Sequence, residues 1–271
     1  MSTYETLLIE KEGGIDWVTL NRPDALNAMN PKLVSELLDY FGNLYMDHSV
    51  RVVVLRGAGR AFCAGLDLKD RSNSAEGSGG MSSSPQAGLV GQRRISEIVM
   101  RMRRAPQPII SLVHGPACGG GFALALASDI RIAGESARMN AAFIRIGLSA
   151  CDIGVSYFLP RLVGVSVASE LMMTGRFIKA DRAERVGLVS EVVPDDKLAD
   201  AARPYLDEMM TTSPLGLRLT KECLNMSVDA GSLEAAVAME DRNQILCTQT
   251  DDMREGVRAF LEKRPPVYSN S

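Results

Sequence analysis

Apolar residues along the chain follow two rhythms. Up to Gly134 short continuous or alternating runs are interleaved with segments of helical spacing, and beyond Gly154 helical spacing prevails. "TLLIEKEGGIDWVTLNRP" predicts two strands turned about Gly13-Gly14. "NPKLVSELLDYFGNLYMD" predicts a helix with Asn30 as N-cap and Pro31 at its first position. "VRVVVLRG", "QPIISLVHG" and "DIRIAG" read as buried strands, and "FALALAS" between the last two reads as a helix. "RSNSAEGSGGMSSSPQAG" (71–88) holds few apolar residues and predicts a mobile loop, followed by a helix through "LVGQRRISEIVMRMRR". After Gly154 the pattern predicts helices through "SYFLPRLVG", "SVASELMMTG", "KADRAERVG" and the segments 195–211, 214–228, 231–247 and 250–262. Alternating strands and helices argue for an α/β core, here 1–194, with a helical C-terminal region over 195–271.

Composition narrows the class. The 271 residues are 46% apolar and 23% charged, with a net charge of −3, as in an ordinary globular protein. No Lys/Arg block is dense enough for a nucleic-acid face. "RMRR" (101–104) reads as a solvated helix end or a contact for an anion. The five cysteines (63, 118, 151, 223, 247) follow no disulfide or metal spacing. The first residues lack a charged-then-apolar leader, and no apolar run nears the roughly 20 residues of a membrane span. A cytoplasmic protein, without membrane or nucleic-acid partner, is expected.

Two strands run into glycine-bearing turns: "VVVLRGAGRAFCAGLDL" and "IISLVHGPACGGGFALAL". A dinucleotide fingerprint fails, because Phe62 stands where the third glycine belongs. A phosphate-binding loop fails for want of Gly-Lys-Ser/Thr. Two readings remain. The glycines let helix and strand pack closely, or they expose backbone N–H groups to a carbonyl oxygen that gains charge.

Together with "LNRPDALNAM" (20–29), "LPRLVG" (159–164), "LMMTGRFIKADRAERVGLVSEVV" (171–193) and "FLEKRP" (260–265), these stretches resemble the crotonase (enoyl-CoA hydratase/isomerase) superfamily along most of the chain. The resemblance implies a spiral of ββα units with a helical C-terminal trimerisation region. It implies a homotrimer or a dimer of trimers acting on acyl-CoA thioesters, as in fatty-acid β-oxidation. Coenzyme A is then part of the substrate, with no permanently bound cofactor and no metal. By the same resemblance the oxyanion donors fall on Ala64 and Gly120. Leu66, Asp67 and Leu68 line the CoA tunnel, with Ala25 and Leu26 near the adenine. Lys263 reaches CoA phosphates, often in a neighbouring subunit, or is a solvated tail lysine. Asp67 could equally cap local backbone donors.

The reaction is where the chain departs from the hydratases it resembles. Their two glutamates would fall at Ala123 and in the Ala142-Phe143 pair, and neither carboxylate is present. Alanine and phenylalanine cannot hold water or move a proton. Phe143 instead narrows the space of the second acid. Asp152, eight residues before Pro160, matches the acidic residue of the enoyl-CoA isomerases that this region resembles. It is equally placed to cap the following helix. The dehalogenases of the superfamily need a histidine base. Of the two histidines, His48 reads as a surface residue and His114 as a core or supporting one. The expectation is double-bond isomerisation with Asp152 as proton carrier. A hydratase using unidentified groups and a non-catalytic acyl-CoA binder remain as alternatives. Cys63, Cys118 and Cys151 adjoin the predicted site and read as small fillers, with sensitivity to bulky thiol reagents as a corollary.

Overall fold

The computed structural model describes residues 4–69 and 84–270. Strands β1 (Leu7–Glu12) and β2 (Ile15–Leu20) form the predicted hairpin, with Gly13 at φ 58° in its turn. Helix α1 (Pro31–Asn43) opens with Asn30, whose side chain accepts from Leu33 N at 2.9 Å. Strand β3 (Val52–Gly57) follows, then helix α2 (Pro85–Arg104).

Helix α2 starts earlier than its apolar pattern indicates. Pro85–Gly88, assigned to the mobile loop by composition, form its first turn. The cause is a cap: the Ser84 hydroxyl accepts from Ala87 N at 3.2 Å, and Pro85 supplies the helical φ. Residues 71–83 of that predicted loop lie outside the described residues.

The chain continues through β4 (Ile109–Val113), β5 (Pro116–Cys118), α3 (Gly120–Ala127), β6 (Ile130–Gly134) and β7 (Arg138–Asn140). Next come α4 (Val155–Thr174), β8 (Ile178–Lys179), α5 (Ala180–Arg185) and β9 (Glu191–Val193). Four helices follow: α6 (Leu198–Met210), α7 (Pro214–Ser227), α8 (Leu233–Thr248) and α9 (Asp251–Glu262). Helix α4 breaks at Gly164 (φ 78°, ψ 159°), where the sequence separates two predicted segments.

The main sheet has the order β1-β2-β3-β4-β6-β9, parallel except for the hairpin. A small sheet, β5-β7-β8, stands apart from it. The main sheet is covered on both faces, which explains why β3 reads as an unbroken apolar run. Val53 and Leu55 join one cluster with Phe41, Met102, Phe122 and Leu159 from α1 to α4. Val52 and Val54 face the other way, with Trp17, Ile110 and Ile132, against Leu198, Ala202 and Leu206 of α6. A buried charge ties α7 to this core. Lys221 Nζ donates to Gln107 O at 2.8 Å and Met102 O at 3.2 Å, and pairs with Asp129 at 2.8 Å. Burial lowers its pKa, with Asp129 opposing the shift.

Candidate active site

The glycine-bearing loops leave the carboxyl ends of β3 and β4, neighbours in the parallel sheet. That edge is where open α/β sheets offer a crevice. The loops are zipped together: Phe62 N donates to His114 O at 2.8 Å, Cys63 N to Pro116 O at 3.1 Å, and Cys118 N to Cys63 O at 3.0 Å. A third segment, Arg22–Met29, is stitched to them by Asn27. Its fully buried amide donates to Ala61 O at 2.7 Å and Ala58 O at 2.9 Å, and accepts from Arg22 N at 2.9 Å. Leu26 (φ 52°) and Asn27 (φ 56°) hold left-handed conformations to make this turn.

Each glycine of the GGG has its own neighbour. Gly119 (φ 52°) faces the Phe143 ring, 3.4 Å from where a Cβ would stand. A Cβ on Gly120 would run into Met29 Cε and lie 3.5 Å from Ile153 Cδ1. A Cβ on Gly121 would overlap the Cys63 backbone. Gly121 therefore serves close packing, and Gly119 supplies the positive φ of the turn. Gly120 opens α3, and its N–H is one of the helix's unshared amides at the positive end of the dipole. No acceptor for it is present among the described residues.

The partner amide is a correction to the sequence reading. Ala64 N donates to Leu26 O at 2.9 Å, so this N–H is already committed. Two residues on, Gly65 O accepts from Met29 N at 2.7 Å. In a trans peptide the following N–H, that of Leu66, points the opposite way, away from Met29. Gly65 in turn lies against Gly120: a Cβ on Gly65 would be 3.5 Å from Gly120 N. The N–H groups of Leu66 and Gly120 meet no acceptor among the described residues.

Ile153, the residue after Asp152, lies beside Gly120, its Cδ1 3.5 Å from where a Gly120 Cβ would stand. Asp152 is not the N-cap of α4. That position belongs to Gly154 (φ 81°), without a side-chain bond. Instead Asp152 Oδ1 accepts from Ile153 N at 2.8 Å and from Gln92 Nε2 of α2 at 2.5 Å. Gln92 was not singled out by any motif: it lies 60 residues from Asp152, in a helix recognised only by its apolar face.

The sequence and the fold recur in known proteins. The family model described as "Enoyl-CoA hydratase/isomerase" matches residues 10–271. A protein of Mycobacterium bovis named "Probable enoyl-CoA hydratase" is 41% identical over 271 residues, covering 99% of this chain and 94% of its own. The 1,2-epoxyphenylacetyl-CoA isomerase of Escherichia coli is 36% identical over 265 residues, covering 98% of each chain. The crystal structure of an enoyl-CoA hydratase from Bacillus anthracis superimposes with a TM-score of 0.90 at 32% identity, over 98% of this chain and all of that one. The chain belongs to the enoyl-CoA hydratase/isomerase family. It is an enzyme with the crotonase fold, including the helical C-terminal region, and CoA thioesters are the family's substrates.

Ala123 is fully buried in α3, and Phe143 is 4% exposed. Asp67 forms an ion pair with Arg22 at 3.0 Å, and Arg22 also donates to Ala28 O, fastening the loop to the 22–29 turn. Ala25, Leu26 and Leu66 are half-buried, and Leu68 is exposed. Lys263 is exposed as the left-handed C-cap of α9 (φ 53°). His114 Nε2 lies 2.8 Å from Gly59 O and fastens the two loops, and His48 contacts Arg218. In "RMRR", Arg101 and Arg104 pair with Glu97, and Arg103 stacks 5.6 Å from the Phe158 ring centre. Burial pushes the Cys63 thiol up to about 12 and the Cys118 thiol up to about 11, so both stay protonated, while Cys151 is exposed. All five cysteines are free. Among the described residues no cluster of His, Cys, Asp or Glu could hold a metal ion, and no helix is long and apolar enough to cross a membrane.

Proposed function

We propose that this enzyme moves a double bond in an enoyl-CoA, with Asp152 as the single proton carrier. The observation that carries the proposal is that Ile153, next to Asp152, lies beside Gly120, while the positions that resemble those of the two hydratase acids hold Ala123 and Phe143. The thioester oxygen accepts from Leu66 N and Gly120 N. Asp152 takes a proton from C2, and the C2–H electron pair spreads into a dienolate held by those amides. The O–H bond on Asp152 then breaks, a C–H bond forms at C4, and the double bond comes to lie between C2 and C3. The proton returns to the substrate, so no co-reactant is consumed.

In the same reading Leu68, Asp67 and the Ala25-Leu26 turn line the CoA path, and Lys263 serves CoA phosphates in a neighbouring subunit. The chain works in the cytoplasm as a homotrimer or dimer of trimers. Residues 1–194 form the catalytic core and 195–271 the assembly region. The two buried apolar replacements also favour a second reading, an acyl-CoA binder without turnover. Parallel assays with a 3-enoyl-CoA and a 2-enoyl-CoA separate them. Conversion of the first to a conjugated product supports isomerisation. Hydration of the second supports a hydratase. Binding of both without conversion supports the binder.

A further inference from the structure

We infer that Gln92 is a positioning residue for Asp152, a role that rests on Asp152 being the proton carrier proposed above. Two donors, Gln92 Nε2 at 2.5 Å and Ile153 N at 2.8 Å, converge on one oxygen, Oδ1. That pair fixes the plane of the carboxylate through Oδ1. The arrangement survives the reaction. When Oδ2 is protonated, Oδ1 becomes a carbonyl oxygen and still accepts both bonds. An amide is suited to this place, since it donates without titrating and does not compete for the proton.

Both arms of the clamp are rigidly founded. Gln92 shares a face of α2 with Ile95 and Val99, three and seven residues on, and both are buried in the core. The other arm belongs to Ile153 (φ 46°), a β-branched residue in the left-handed region. Such a conformation is strained for a β-branched residue and persists where its surroundings over-determine it. Here it turns the N–H of Ile153 onto Oδ1 while its side chain packs toward Gly120. The carboxylate is thus set by a neighbouring helix on one side and a strained turn on the other.

The test compares the full-length parent with Gln92→Met, which keeps length and removes the donor, Gln92→Asn, which keeps an amide on a shorter arm, and Asp152→Asn. Each is assayed for kcat and KM on a 3-enoyl-CoA and for thermal unfolding. The expected result is a kcat lower by about ten- to hundredfold in Gln92→Met. KM should stay within about threefold and the melting temperature should match the parent's. Gln92→Asn should fall between the two. A Gln92→Met enzyme with parental kcat, beside an inactive Asp152→Asn, overturns the role of Gln92 and leaves that of Asp152. Loss of activity accompanied by a lowered melting temperature, or with KM rising in step, overturns it in favour of a structural contact. An active Asp152→Asn enzyme overturns the underlying reading, and the positioning role with it.

Discussion

The peptide joining Gly65 to Leu66 has its carbonyl bonded to Met29 N, while the peptide joining Cys63 to Ala64 has its N–H bonded to Leu26 O. Side-chain identity says nothing of this difference. It arises from which strand-like neighbour each loop residue faces, and it moves the candidate oxyanion donor from Ala64 to Leu66. Replacing single amides by esters tests the assignment without changing shape. An ester at residue 66 should lower kcat by about 10²–10³, the usual effect of losing one oxyanion donor. An ester at residue 64 should leave kcat near the parental value and cost about 0.5–1.5 kcal/mol of stability through the lost bond to Leu26 O. Measured kcat and urea midpoints distinguish the two sites, and the opposite pattern restores Ala64 to the role.

At the scale of elements, the boundary between the sheet layer and the C-terminal helices is held by a few specific contacts. Lys221 of α7 is the most buried of them, reaching Asp129 and two carbonyls. Lys221→Ala leaves Asp129 and those carbonyls without their cation, and should cost about 3–5 kcal/mol in denaturant unfolding. A cost below about 1 kcal/mol would mean that water reaches the site. The elements themselves were largely legible. Strands β2, β3 and β4 carry four apolar positions each and β1 and β6 three, and α1 announces itself with Asn30-Pro31. The strands β5, β7, β8 and β9 were not legible, because two or three residues carry no period. The start of α2 was hidden by its Ser/Gly-rich approach. In the site, Gly120 and Asp152 could be found by motif and by resemblance. Gln92 and the orientation of Leu66 could not, because both depend on how distant segments meet.

The whole molecule buries both faces of its sheet yet leaves apolar side chains outside. Leu233 is 76% exposed and Phe260 is 82% exposed, both on the C-terminal helices. Exposed apolar residues concentrated in one region fit an assembly surface. Sedimentation equilibrium should give three or six times the 29.3 kDa chain mass, and a monomer at micromolar concentration would contradict the proposed assembly. The central claim is that one carboxylate carries a proton between two carbons of a thioester held by two amides. The most direct measurement follows deuterium from C2 of a 3-enoyl-CoA during a single turnover. The account predicts deuterium at C4 of the 2-enoyl product with the parent enzyme, and no conversion with Asp152→Asn. Undiminished conversion by Asp152→Asn would contradict it.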